Sequence, residues 1–191
     1  PEAAKDKEFT APISARMVVP PRRLEELPSL AGLKETAGIV EANLEAGGTI
    51  LDPNVRFIMK GRGLRAASMP KDTKADTDIA LDYDGKEAKL AVKSAARGED
   101  LLTLSANAKI KSRDFIVGTP NGAAPEWTAS AKAHLASFPL ESVPPLAAQR
   151  IRGRVSGDFA LDELHQDAKV TGHIALDKFQ VGRVQYEKGN I

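Results

Sequence analysis

The chain contains no cysteine, which excludes disulfides and thiolate metal sites; a cysteine-free chain suits oxidising and reducing surroundings alike. Aromatic residues make up only 5% of it, few for the filling of an ordinary β core. No run of 18 or more apolar residues and nothing like a secretory apolar segment occurs, so any anchor or targeting signal is expected outside these 191 residues. Neither sign of charge dominates. With 27 Lys and Arg against 26 Asp and Glu, the formal net charge is +1, and nucleic acid is not an expected partner.

What is present is a folded composition, 42% hydrophobic and 28% charged, arranged with a period of two. Phe9, Ala11, Ile13, Ala15, Met17 and Val19 alternate with Thr10, Ser14 and Arg16. Val55, Phe57 and Met59 alternate with Arg56 and Lys60, and Ile79, Leu81 and Tyr83 with Asp78, Asp82 and Asp84. The same holds for Leu90 and Val92 against Lys89 and Lys93, for Leu102, Leu104 and Ile110 against Thr103, Ser105 and Lys111, for Leu135 against His134, and for Val170, Ile174 and Leu176 against Thr171, His173 and Asp177. A strand sends successive side chains to opposite faces, so each run predicts one apolar and one wet face, and the sheet is expected to be antiparallel.

Two stretches read as copies. The first runs from Ile13 through Leu24-Glu25-Glu26-Leu27-Pro28 to Gly38-Ile39-Val40, and about 115 residues later come Ala129, then Leu140-Glu141-Ser142-Val143-Pro144, then Gly153-Arg154-Val155 and Phe159. These related units, at about 9–60 and 127–177, predict that residues 1–191 are a segment of a longer repetitive β-sheet domain, a reading to which the start at Pro1 adds weight. Turn chemistry divides the strands at Ala46-Gly47-Gly48, Asp52-Pro53-Asn54, Asp84-Gly85-Lys86, Arg97-Gly98-Glu99 and Gly118–Gly122, with Asp84-Gly85 the strongest hairpin signal. Short helices are expected within Arg22 to Lys34 and Leu140 to Arg150, interrupted by proline. Gly61-Arg62-Gly63 reads as a bulge where the sheet bends.

The apolar face is built largely from Ala, Gly and Val. Small side chains could let a curled sheet close on itself, or they could line a trough that protein does not fill, which would make the face a binding surface.

The run Gly38-Ile39-Val40-Glu41-Ala42-Asn43-Leu44-Glu45-Ala46-Gly47-Gly48-Thr49-Ile50-Leu51-Asp52-Pro53, and Gly153-Arg154-Val155-Ser156-Gly157-Asp158-Phe159 with Gly172-His173-Ile174-Ala175-Leu176 after it, resemble the repeat of the TamB translocation and assembly module family, and the likeness covers most of the chain. The second copy departs from the pattern where Glu163-Leu164 and Ala168 stand near the places of Gly48-Thr49 and Pro53. The resemblance implies an all-β, elongated, curled antiparallel-type sheet, a taco or half-pipe with a hydrophobic inner face and short flanking helical turns. It implies a place in the periplasm of a Gram-negative envelope, with an inner-membrane anchor outside this chain. It also implies a TamA-like outer-membrane barrel partner engaged by other regions, and phospholipid or nascent outer-membrane protein strands as cargo. The residues expected to line the groove are Val55, Phe57, Met59, Ile79, Leu81, Leu90, Val92, Leu102, Leu104, Ile110, Leu135, Val155, Phe159, Val170, Ile174 and Leu176. A structural or adhesive β-solenoid with a filled core is the alternative.

Catalytic chemistry is not expected, nor is a metal or cofactor. His165 and His173 stand eight residues apart, roughly 26 Å if on one strand, and His134, His165 and His173 read as solvated. Asp76, Asp78, Asp82 and Asp84 lack the distal ligand of a cation loop. Gly61-Arg62-Gly63-Leu64 has no helix after it to hold a phosphate, and Trp127 reads as a buried aromatic at a sheet end.

Overall fold

The computed structural model describes residues 9–26, 36–65, 74–165 and 167–190. They form one open antiparallel sheet whose 10 strands lie side by side in chain order. The strands are β1 (Ala15–Arg23), β2 (Ala37–Gly48), β3 (Pro53–Arg65), β4 (Ala75–Tyr83), β5 (Glu87–Ala96), β6 (Glu99–Ile110), β7 (Trp127–Pro139), β8 (Ile151–Leu164), β9 (Lys169–Val181) and β10 (Val184–Asn190). Helical structure is confined to short pieces: single 3-10 turns at Leu24–Glu26 and Leu140–Ser142, α1 at Ser112–Ile116 and α2 at Pro144–Ala148. Period-two alternation therefore became strand, and the expected all-β antiparallel class is the observed one.

Turn residues fix the hairpins. At Asp84-Gly85-Lys86 the Asp84 carboxylate accepts hydrogen bonds from the backbone N–H groups of Lys86 (3.0 Å) and Glu87 (2.8 Å), while Gly85 takes φ +86°. Arg97 and Gly98, both with positive φ, join β5 to β6 in the two-residue form that suits strand twist.

The bend of the sheet comes from bulges, and all but one share a margin. Register shifts fall between Val19 and Arg22 on the β1–β2 pair, Ala37 and Ile39 on β2–β3, Gly61 and Leu64 on β3–β4, Ser94 and Ala95 on β5–β6, Leu135 and Phe138 on β7–β8, and Arg152 and Arg154 on β8–β9. These six lie toward the same strand ends, because alternate strands run in opposite directions; a seventh, between Ala129 and Ala131 where β7 pairs with β8, lies at the opposite ends. Each extra residue adds twist and bend, so a line of bulges turns this margin of the sheet. The bulge expected at Gly61-Arg62-Gly63 is one of them.

The two related stretches fold alike at this margin. Gly38 and Gly153 both have φ +130°, and both face a bulged neighbour: a Cβ on Gly38 would meet Arg62 O, Gly63 O and Leu64 Cα at 3.0 Å, and one on Gly153 would meet Phe179 Cα at 2.9 Å and Lys178 O at 3.0 Å. Gly63 and Lys178 occupy equivalent bulge positions, with φ +59° and +51°. A 3-10 turn precedes each unit's second strand, Leu24–Glu26 before β2 and Leu140–Ser142 before β8.

Some expectations need correction. The strand expected from Phe9 begins at Ala15: Phe9 is helical, Thr10 is in a turn, and an isolated bridge from Pro12 to Thr49 follows them. Arg22 and Arg23 finish β1 rather than opening a helix, and residues 27–34 of that expected helix lie outside the described residues. Pro20 and Pro21 fit within β1 because it is an edge strand, where a missing N–H breaks no ladder bond. Ala46-Gly47-Gly48 is not a turn but the end of β2, paired with Val55, Asn54 and Pro53, and the chain reverses at Thr49 to Asp52.

Candidate functional site

Residues opposite one another in a ladder share a face, so the register assembles the site. One row crosses the sheet through Leu44, Phe57, Leu81, Leu90, Ala106 and Ala131, and continues through Leu161 to Val170. The next row runs through Ala42, Met59, Ile79, Val92, Leu104 and Ala133 to Phe159 and Gly172. Val55 opposes Tyr83, Leu102 opposes Leu135, Ile110 opposes Trp127, Val155 opposes Leu176, and Ile174 opposes Gly157. Every residue expected to line the groove thus stands on one face. Ten strands at ~4.8 Å spacing make that face about 43 Å long across the strands.

The face is not covered. Among the described apolar side chains the buried ones are Leu51, Ala75, Pro139 and Val155; Met17 is 50% exposed and Val170 63%. No second layer packs on the face among the described residues.

Depth varies along the face. Across β5, β6 and β7 its floor is alanine, with Ala88, Ala108 and Ala129 in one row and Ala106 and Ala131 in the next. At the bulged margin the face closes into a hollow of about 340 Å³, between Leu24 and Leu64 on one side and Phe138 and Pro139 on the other, with Val92 and Leu102 below. Its polar floor groups satisfy each other: Thr77 Oγ1 and Ser94 Oγ are 3.1 Å apart. Residues of β3 and β7 therefore line one hollow although three strands separate them, which is the signature of a curled sheet. At the opposite margin the Tyr83 hydroxyl donates to Ile110 O at 2.7 Å. Trp127 is half-buried there and stacks on His165 with ring centroids 4.6 Å apart.

The other face is wet and laid out in charge rows. Glu45 lies between Arg16 (3.6 Å) and its ladder partner Arg56, which reaches Asp82 (3.7 Å); Lys60 reaches Glu41 (3.7 Å) and Arg62 reaches Asp78 (2.8 Å). Exposed pairs of this kind are each worth only about 0.2–1 kcal/mol, but a one-residue slip would carry charge onto the apolar face, so they reinforce the register. Asp76, Asp78, Asp82 and Asp84 fall on this face, its margin and its turn, paired with basic residues or backbone amides.

The histidines differ from the expectation in part. His165 sits in the turn after β8 with φ +76°, not on a strand with His173, and it is covered on one side by Trp127. His134 Nδ1 lies 2.8 Å from Asp158 Oδ1, and His173 faces the same Asp158 from β9. No group of three His, Asp or Glu side chains among the described residues is placed to hold a metal ion. Two carboxyls are held below their usual range: Asp84, by the N–H groups of Glu87 and then Lys86, and Glu87, by the Asn107 side chain (2.6 Å) and then Lys89. Both stabilise charge at a strand end, and neither faces a nucleophile. No helix among the described residues is long and apolar enough to cross a membrane.

Comparison with known proteins gave no match to any family model, curated protein or solved structure.

Two features of the site were not read from the sequence. The line of bulges leaves only the scattered signals of Gly38, Gly63 and Gly153, because a bulge depends on the partner strand as well as its own. The excursion from Lys111 to Glu126 carries α1 and exposes Phe115, Ile116 and Val117 at 52%, 42% and 48%. Its run Asp114-Phe115-Ile116-Val117 was an available signal, since three apolar residues together break the alternation.

Proposed function

We propose that this chain is a segment of an envelope protein of the TamB type, which shields the acyl chains of phospholipids in its apolar trough on their way between two membranes. The observation that carries this reading is the unbroken apolar face across the sheet, curled at one margin and left open. An acyl chain spans about half of the ~30 Å hydrocarbon core of a bilayer, so a face about 43 Å long accommodates more than one chain end to end. Each methylene removed from water contributes ~0.8 kcal/mol, and ten of them give about 8 kcal/mol with no polar anchor. Passage needs that kind of attraction, spread evenly and with no deep minimum. An amphipathic strand of an outer-membrane protein presents a similar apolar edge and is the second cargo the face suits. The periplasm, and a barrel partner bound by regions beyond this segment, belong to the same proposal.

The filled-core solenoid has less support, because it needs a second apolar layer. Native mass spectrometry of the segment after incubation with phospholipid vesicles separates the two readings. Trough binding gives adducts of one phospholipid mass on a folded chain, and Leu104→Asp reduces them while the strand signal in circular dichroism persists. A filled core gives no adduct, and Leu104→Asp unfolds it.

A further inference from the structure

The margin opposite the main line of bulges carries a second, chemically different hollow. There the excursion from Lys111 to Glu126 leaves the end of β6, and it folds back against β5 and the first residues of β7, enclosing about 580 Å³. Backbone bonds fix its base: Ile110 N donates to Lys86 O at 2.8 Å and Ser112 N to Gly85 O at 2.9 Å. The Thr119 hydroxyl, bonded to Ala123 O at 2.6 Å, ties its far side.

Three ammonium groups, on Lys86, Lys109 and Lys111, and two carboxylates, on Asp114 and Glu126, line this hollow. None of the five takes part in an ion pair, with one another or with any other described residue. A third carboxylate, Glu87, is already engaged by Asn107 and by Lys89 at 3.2 Å. Thr128 lines the same space, and its hydroxyl is buried without a hydrogen-bond partner among the described residues. Opposite charges gathered round one hollow and held out of contact suit a ligand carrying both signs.

The position adds a second argument. Lys109 and Thr128 face each other on the wet side of the β6–β7 ladder, and the next pair, Ile110 and Trp127, belongs to the apolar face. Trp127 also lines the hollow. The hollow thus straddles the rim of the trough, with apolar lining and charged groups within one residue of each other.

We propose that this rim hollow is a headgroup subsite for a zwitterionic phosphate ester: Lys86, Lys109 and Lys111 take the phosphate, Asp114 and Glu126 take an ammonium group, and the tails lie on the apolar face beyond Ile110 and Trp127. The assignment of tails rests on the lipid reading above, whereas the phosphate site can be tested without it.

Trp127 is the one tryptophan of the chain, so its fluorescence reports on the hollow directly. Titration of the intact chain with O-phosphoethanolamine should give a saturable change that inorganic phosphate matches only at higher concentration. Lys109→Gln with Lys111→Gln should weaken the response about tenfold, and Asp114→Asn with Glu126→Gln should erase the preference over inorganic phosphate. Lys132→Gln, elsewhere on the wet face, should change nothing. Equal affinity for inorganic phosphate and phosphoethanolamine would reassign the hollow to free phosphate, and no saturable response, or one indifferent to the lysines, would overturn the site. A second arm compares retention of phosphatidylethanolamine with that of diacylglycerol bearing the same tails. If both are retained equally and the lysine changes affect neither, the headgroup subsite falls while the trough stands. If phosphoethanolamine binds but neither lipid is retained, the trough reading falls and the phosphate site stands alone.

Discussion

At the scale of single residues, the apolar face and the turns make separable forecasts. Leu104 stands mid-sheet between Val92 and Ala133, on a face open to solvent. An aspartate there keeps water around its charge, so Leu104→Asp should leave the fold intact, with a loss of at most about 1–2 kcal/mol, while removing lipid adducts. Lys89→Asp or Thr171→Asp, on the wet face, should leave the adducts in place. Asp84 makes a pH forecast. Its folded pKa is depressed by the N–H groups of Glu87 and Lys86, so its contribution to stability is fully present above the unfolded carboxyl value and is lost as pH falls through the folded one. Protection of the β4–β5 hairpin from hydrogen exchange should therefore fall below about pH 4, and Asp84→Asn should reduce that acid dependence, leaving the part that Glu87 carries. An unchanged acid profile in the Asp84→Asn variant would show that the turn carboxylate is not the titrating group.

At the scale of elements, the alternating runs were legible because a half-buried strand writes its two faces into its sequence. The Asp84-Gly85 hairpin, the Gly61–Gly63 bulge and the Leu140–Ala148 helical stretch were legible for local reasons: each depends on residues next to one another. What the sequence concealed depends on pairing. Nothing within β7 marks Ser137 as a residue with φ +50°, nor says that its irregularity lines up with those of β3 and β6. The opening strand was placed too early because Phe9, Ala11 and Ile13 alternate correctly, yet Phe9 is helical and the pairing to the end of β2 reaches only Pro12 and Ile13. The aligned bulges make a graded forecast. Gly153→Ala places a methyl 2.9–3.1 Å from the β9 backbone at φ +130°, and should destabilise the segment by about 2 kcal/mol or more. At Gly63, where an added Cβ meets nothing within 4 Å and Lys178 fills the equivalent position, substitution by Lys or Asn should cost about 1 kcal/mol or less. Equal losses by urea unfolding at the two sites would contradict the description of this margin.

At the scale of the whole molecule, the sheet is long in the direction of its hydrogen bonds and has little interior. Its stability rests on ladders and cross-strand pairs rather than on a core, and an open apolar face of this extent is rare on a finished soluble surface. Composition carried part of that conclusion, since few aromatics and many alanines left two readings of the apolar face, filled or open. The register and the exposure of the described residues support the open reading; they do not name what lies on the face. Because the chain has no cysteine, single cysteines can be placed at will and armed with a short photoreactive group. The measurement that tests the central claim most directly is cross-linking of labelled phospholipid to Leu90→Cys, Leu104→Cys and Ile174→Cys on the apolar face, against Lys89→Cys, Thr103→Cys and Thr171→Cys on the wet one. The trough predicts lipid adducts from the first three and background from the others; equal yields from both faces, or none from either, would contradict it.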